Sequence, residues 1–80
     1  MTPQEIEQKL IPQLTDILAV EPGAVTPDSS LEGVGMDSMR FVELFIFIER
    51  EFGLELISSN MQRSDLETPR AVAAAIARNL

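Results

Sequence analysis

Twice in eighty residues the chain places Thr-Pro directly ahead of an apolar pattern with helical spacing, at Thr2-Pro3 and at Thr68-Pro69. Threonine is a good N-cap. Proline at the first helical position gives up an N–H that has no intrahelical partner anyway, so each pair predicts a helix start. At the first, Glu5 completes a capping box. Ile6, Leu10, Leu14, Ile17 and Leu18 follow as one apolar stripe, and Pro22-Gly23 predicts the end of this helix after Val20. At the second, Val72, Ala75 and Ile76 turn inward along a helix reaching about Asn79. Between them a third helix starts at Asp37 or Ser38, carries Leu44, Phe45, Ile48 and Phe52 as its core stripe, and stops at Gly53.

The connectors are less regular. Residues 21–37 are rich in Pro, Gly, Ser and Asp and read as a long loop, with Val25, Leu31, Val34 and Met36 pinning it to the core. A loop of this length in a compact domain is often functional. Leu54, Leu56 and Ile57 alternate with Glu55, but a lone short strand has nothing to pair with, so this stretch is expected to be an extended connector. Ser58 or Ser59 is placed to cap a short helix around Asn60 to Ser64. The expected fold is all-α: a small four-helix bundle of three principal helices plus one short one, forming a single domain over residues 1–80.

Composition removes several classes of function. The chain has no cysteine and no histidine. Thiolate and imidazole metal sites, cysteine nucleophiles and Ser–His hydrolytic machinery are therefore absent. Thirteen acids against six bases give a net charge of −7, concentrated in residues 1–59 with eleven acids and three bases. Such a surface repels nucleic acid and anionic membranes and favours partners with basic patches, although acidity also serves plain solubility. The opening MTPQEIEQKL has neither a basic lead nor an apolar run, so no signal peptide is expected. No apolar stretch, Leu44 to Ile48 included, approaches the roughly 18 residues of a membrane helix. A soluble, cytoplasmic monomer is the expectation, with no membrane insertion.

The residue that invites chemistry is Ser38, at the junction of a glycine-bearing loop and an apolar helix. A helix amino terminus offers unpaired N–H groups and a partial positive charge, which suit a phosphate. A serine in the first turn projects its hydroxyl outward, and Gly35 lets the backbone turn sharply with little crowding. Asp-Ser ahead of an apolar helix is also what an ordinary N-cap looks like, so the dipeptide alone leaves both readings open. The same helix has a second apolar stripe, Met39, Val42 and Ile46, at i, i+3 and i+7. This stripe is either wrapped into the small bundle or presented as a contact surface beside the serine. Methionine suits a surface that fits several partners. Glu43 and Glu49 flank the stripe, either simply solvated or steering basic partners.

The run Leu31-Glu32-Gly33-Val34-Gly35-Met36-Asp37-Ser38-Met39, with Val42-Glu43-Leu44 and Glu49-Arg50-Glu51-Phe52-Gly53, resembles the acyl carrier protein family, and the likeness extends over essentially the whole chain. The resemblance implies a non-catalytic carrier with 4′-phosphopantetheine, donated by coenzyme A, esterified to Ser38. It makes Asp37 the adjoining acid read by a phosphopantetheinyl transferase, with Gly35 in the same motif. It implies cargo held as a thioester and presented to partner enzymes: the transferase, an acyl- or amino-acid-activating ligase or transferase, and downstream acceptor enzymes. Met39, Arg40, Val42, Glu43, Ile46 and Glu49 are the expected docking residues.

Some positions depart from the fatty-acid type of carrier. Arg40 stands where those proteins usually have an acid or a small polar residue, and the short third helix carries Arg63 with little acid. Asp37-Ser38-Met39 followed by Leu66-Glu67-Thr68-Pro69 is similar to D-alanyl and other aminoacyl carriers, which an adenylate-forming ligase loads. Phe41, Phe45 and Phe47 are bulky for a helix beside a wide acyl pocket; they either shrink that pocket or only change the packing. Outside the carrier class, the alternative is a helical protein-interaction module with Ser38 as an ordinary cap. A serine hydrolase is disfavoured, since histidine is missing and Arg40 stays protonated and is a poor base.

Overall fold

A computed structural model of the chain describes residues 1–55 and 62–80. Among the described residues there are three α-helices, α1 (Pro3–Leu18), α2 (Ser38–Phe52) and α3 (Pro69–Asn79), with the long loop between α1 and α2 and a 3₁₀ turn at Arg63–Leu66 ahead of α3. Among the described residues there is no strand. The fold is the all-helical one the patterning predicts.

The start of α1 is closed from both sides. Thr2 Oγ1 accepts the Glu5 N–H at 3.2 Å, and the Glu5 carboxylate accepts the Thr2 N–H at 2.9 Å. Ile6, Leu10, Leu14 and Leu18 form the buried face, while Ile17 lies at its half-buried edge. The helix ends earlier than Pro22-Gly23 suggests. Ala19 takes a left-handed conformation (φ 54°, ψ 45°), and the Val20 N–H donates back to the Thr15 carbonyl at 3.2 Å. This is the 6→1 bond of a Schellman turn, and Val20 packs against the core as its hydrophobic contact. A half-buried valine, rather than the proline, sets the stop.

The loop is held by backbone bonds as well as by its apolar residues. Val25, Leu31 and Met36 are buried, and Val34 packs against them from a half-exposed position. The Leu31 N–H donates to the Glu67 carbonyl and the Arg70 N–H to the Pro27 carbonyl, both at 2.9 Å. The Arg70 guanidinium pairs with Asp28 of the loop and, at 3.6 Å, with Glu7 of α1. The start of α3, the loop and α1 are thereby fixed to one another.

In α2, Leu44 and Ile48 are fully buried, while Phe45 and Phe52 are half-buried against the core. Gly53 ends the helix at φ +69° and donates to the Glu49 carbonyl at 2.9 Å. In α3, Thr68 Oγ1 accepts the Ala71 N–H at 3.1 Å, and Val72, Ala73, Ala75 and Ile76 are fully covered. The alanines bring α3 close to α1, its main partner. A 3₁₀ turn occupies Arg63–Leu66, preceded by Gln62, whose N–H donates to the Asp65 carboxylate at 2.9 Å. The short helix expected around Asn60 to Ser64 begins on residues outside the described ones. Leu56 and Ile57 of the connector, and Ser58, Ser59 and Asn60, lie outside the described residues.

Two substitutions at helix ends should act in opposite directions. Relief of the left-handed strain at Ala19 outweighs the chain entropy glycine adds, so Ala19→Gly should stabilise the fold by about 0.5–1 kcal/mol. Gly53→Ala should destabilise it by about 1–2 kcal/mol for the same steric reason, since nothing lies within 4 Å of the added Cβ. Urea titrations followed by circular dichroism measure both.

The caps also set a pH dependence. The Glu5 carboxyl lies below its ordinary 4.5 because it accepts the Thr2 backbone N–H and bonds the Thr2 side chain. The Asp65 carboxyl lies below 3.8, mainly through the Gln62 backbone N–H and, on the same side, Arg78. Depressed carboxylates contribute stability that is present above the ordinary values and lost as pH falls through the folded ones. Melting temperature should therefore fall on acidification from about pH 6 to about pH 3, and the Glu5→Gln/Asp65→Asn double variant should show a shallower fall.

Candidate functional site

Asp37 is the N-cap of α2, with extended backbone (φ −141°, ψ 179°) and its Oδ1 accepting the Arg40 N–H at 2.9 Å. Ser38 is therefore the first helical residue, and it is exposed. The capping and outward-facing readings of Asp-Ser are both true, of different residues: Asp37 caps, and Ser38 faces out. Just upstream, Gly35 adopts φ +103°, a conformation L side chains rarely take. A Cβ there would meet only Arg40 Nη1, at 3.9 Å. Within the chain, glycine is thus needed for the dihedral and not for room.

Arg40 turns back along the helix. Its Nη1 donates to the Gly35 carbonyl at 2.8 Å and lies 3.6 Å from Asp37 Oδ2. Backbone and side chain together close a clasp around the turn that carries Ser38. The positive charge sits half-buried beside the loop.

Away from the core, α2 presents its second stripe to solvent: Met39 is 79% exposed, Val42 52% and Ile46 45%. Glu43 and Glu49 beside it are exposed as well. The bundle does not wrap both stripes. Three helices around one core bury the Leu44 and Ile48 side of α2 and leave the opposite side uncovered.

On its other flank Ser38 borders a cleft of about 560 Å³. Met36, Phe41 and Leu66 give it an apolar base, while Asp37, Arg63 and Glu67 are among its polar rim. Of the four phenylalanines of α2, only Phe41 lines this cleft. Phe45 stacks behind it, with ring centroids 6.0 Å apart, and Phe47 packs edge-on against Phe52 at 6.2 Å. The wall contributed by residues 63–68 had no local signal in the sequence, because the Leu31–Glu67 backbone bond brings it here.

Residues 8–76 match the family model described as the phosphopantetheine attachment site. Curated relatives agree. An acyl carrier protein of Thermosynechococcus vestitus is 39% identical over 57 residues, 70% of each chain. One of Nitratidesulfovibrio vulgaris is 34% identical over 59 residues, 72% of this chain and 78% of the relative. One of Amoebophilus asiaticus is 40% identical over 53 residues, 65% and 66% of the two. With a capped helix tip, an exposed serine and an uncovered helix face in place, the chain belongs to the phosphopantetheine-binding acyl carrier protein family. It is a non-catalytic carrier whose prosthetic group is a covalently attached 4′-phosphopantetheine. Membership implies dealings with a phosphopantetheinyl transferase and acyl-processing enzymes. Among the described residues no helix is long and apolar enough to cross a membrane.

The cap and the charge of Asp37 are separable. Asparagine caps as well as aspartate, so Asp37→Ala should cost about 1 kcal/mol of stability and Asp37→Asn only a few tenths. Chemical denaturation of the two variants tests this, and leaves Asp37→Asn as a folded probe of the charge.

Proposed function

We propose that Ser38 is the attachment residue of the 4′-phosphopantetheine arm, and that residues 1–80 act as one carrier domain. In the attachment step Ser38 Oγ loses its proton and forms a phosphodiester with the phosphorus of coenzyme A that bears pantetheine. The pyrophosphate bond breaks, and adenosine bisphosphate leaves. The chain's own residues prepare this step. Asp37 fixes the first turn of α2 so that the Ser38 hydroxyl stays clear of the bundle. Arg40 pairs with the Asp37 carboxylate and holds it beside the turn, where the transferase reads it next to the serine. Gly35 sets the entry angle of the loop. The observation that carries the reading is an exposed serine at the head of a helix whose outward face is apolar.

The arm's terminal thiol supplies the carrier chemistry by holding acyl or aminoacyl cargo as a thioester. Met39, Val42 and Ile46 form the centre of the docking face, with Glu43 and Glu49 at its edge and Arg40 beside the loop. Exposed acids at an interface rim speed and orient encounters more than they strengthen binding, which suits partners that must release the carrier. The partners in this reading are a phosphopantetheinyl transferase, a loading ligase or transferase, and acceptor enzymes, working in the cytoplasm.

Incubation with coenzyme A and a broad-specificity transferase, followed by intact mass analysis, should add one phosphopantetheine to the wild type and none to Ser38→Ala. Asp37→Asn should fold and be modified more slowly. A Val42→Asp/Ile46→Asp variant, altered only at exposed positions, should keep its melting temperature and lose roughly tenfold in the rate of modification. Full modification of Ser38→Ala would refute the assignment.

A further inference from the structure

Resting on the assignment of Ser38 as the attachment residue, we infer that Phe41 is the size determinant of this carrier: it seals the bundle beneath the serine, so the cargo is a short acyl group carried in the surface cleft. The residue lies one turn after Ser38 and lines the same cleft. Its ring stacks on Phe45, centroids 6.0 Å apart and planes 26° from parallel, and both rings pack against the core. Beyond the stack, Leu44 and Ile48 are fully covered. A chain entering the bundle along this side of α2 must displace the Phe41 ring from Phe45 before it reaches apolar space. The rings already occupy the place a long alkyl tail would take, so insertion exchanges one apolar contact for another and gains little. The cleft itself has an apolar base but a rim of charged and polar groups that include Asp37, Arg63 and Glu67. It accommodates a compact group near the end of a polar arm and gives a long hydrocarbon little cover. The shared chemistry is a small acyl thioester, whether a simple short acid or an amino acid is its source.

A broad-specificity transferase loads acyl-phosphopantetheine directly from the matching acyl-coenzyme A, so acetyl, alanyl and octanoyl forms can be made on the intact chain. The readouts are the rate of thioester cleavage by hydroxylamine, the melting temperature, and amide shifts in NMR spectra. For wild type, octanoyl and acetyl forms should melt together and be cleaved within about twofold of one another. Shifts should be confined to the cleft, at residues such as Met36, Phe41 and Leu66. In Phe41→Ala, the octanoyl form should be cleaved at least about fivefold more slowly than the acetyl form and should melt higher. Phe41→Leu, a milder change, should move the same way and covers the case in which the alanine variant does not fold. A wild-type octanoyl form that is already protected, with shifts at Leu14, Ile48 and Ile76, would overturn the inference. So would folded Phe41 variants that treat both chain lengths alike. Alanyl and acetyl forms that shift different cleft residues would support the inference and tell the two cargo sources apart. A chain that gains no mass from any donor would sink the Ser38 assignment, and this inference with it, whereas full loading with a protected octanoyl tail would sink this inference alone.

Discussion

Leu31 is the point on which the arrangement of this molecule turns. Its side chain is wholly buried, its N–H donates to the Glu67 carbonyl, and its carbonyl accepts the Met36 N–H. One residue therefore ties the middle of a long loop to the core, to the segment just before α3, and to the residue that leads into the Asp37 cap. A side chain held in the core fixes position, and two backbone bonds fix direction. Without that stitch, the loop has no reason to deliver Asp37 and Ser38 to the head of α2 in one orientation, and the two walls of the cleft have no reason to face each other.

The charges divide into those that hold the structure and those that face outward. Arg70, Arg40, Arg78 and Lys9 each meet a carboxylate, and every one of these pairs connects segments: α3 to loop and α1, loop to α2, α3 to the 3₁₀ turn, and α1 to α2. Individually such exposed pairs are worth about 0–1 kcal/mol, so they tune geometry more than they stabilise. With many of the bases engaged within the fold, the excess negative charge is left to the surface, where Glu43 and Glu49 border the apolar face of α2. That combination suits brief encounters with basic partners. It attracts at a distance and has a small apolar patch for contact, with little that would hold a partner for long.

Much of this was legible in the sequence wherever a signal is local. The caps at Thr2, Asp37 and Thr68 and the glycine stop at Gly53 all lie where their chemistry puts them. A cap or a left-handed turn is decided by a few neighbouring residues and needs no distant partner. The end of α1 is not legible in this way, because the feature that decides it, the packing of a half-buried Val20 behind a left-handed Ala19, depends on where the core is. The 3₁₀ turn at Arg63–Leu66 likewise depends on a distant partner: beside the local Gln62–Asp65 bond, Arg78 reaches back to Asp65 from α3. The candidate serine and its outward direction could be named from its motif and its place in the first turn, but the clasp of Arg40 onto Gly35 could not.

The sequence by itself determined the three helices seen among the described residues, their capped starts, the place of the candidate serine at a helix head and the existence of two apolar stripes on α2, because each is a property of periodicity or of a handful of adjacent residues. Tertiary structure alone decided that the second stripe stays uncovered, that Phe41 rather than Phe47 backs the cleft, and that residues 63–68 form its far wall. Those outcomes depend on which surfaces of separate helices meet, and a helix with two apolar faces does not itself say whether both will find partners. Packing into the common core, with α1 as the main neighbour, covers the Leu44 and Ile48 side and leaves Met39, Val42 and Ile46 in water.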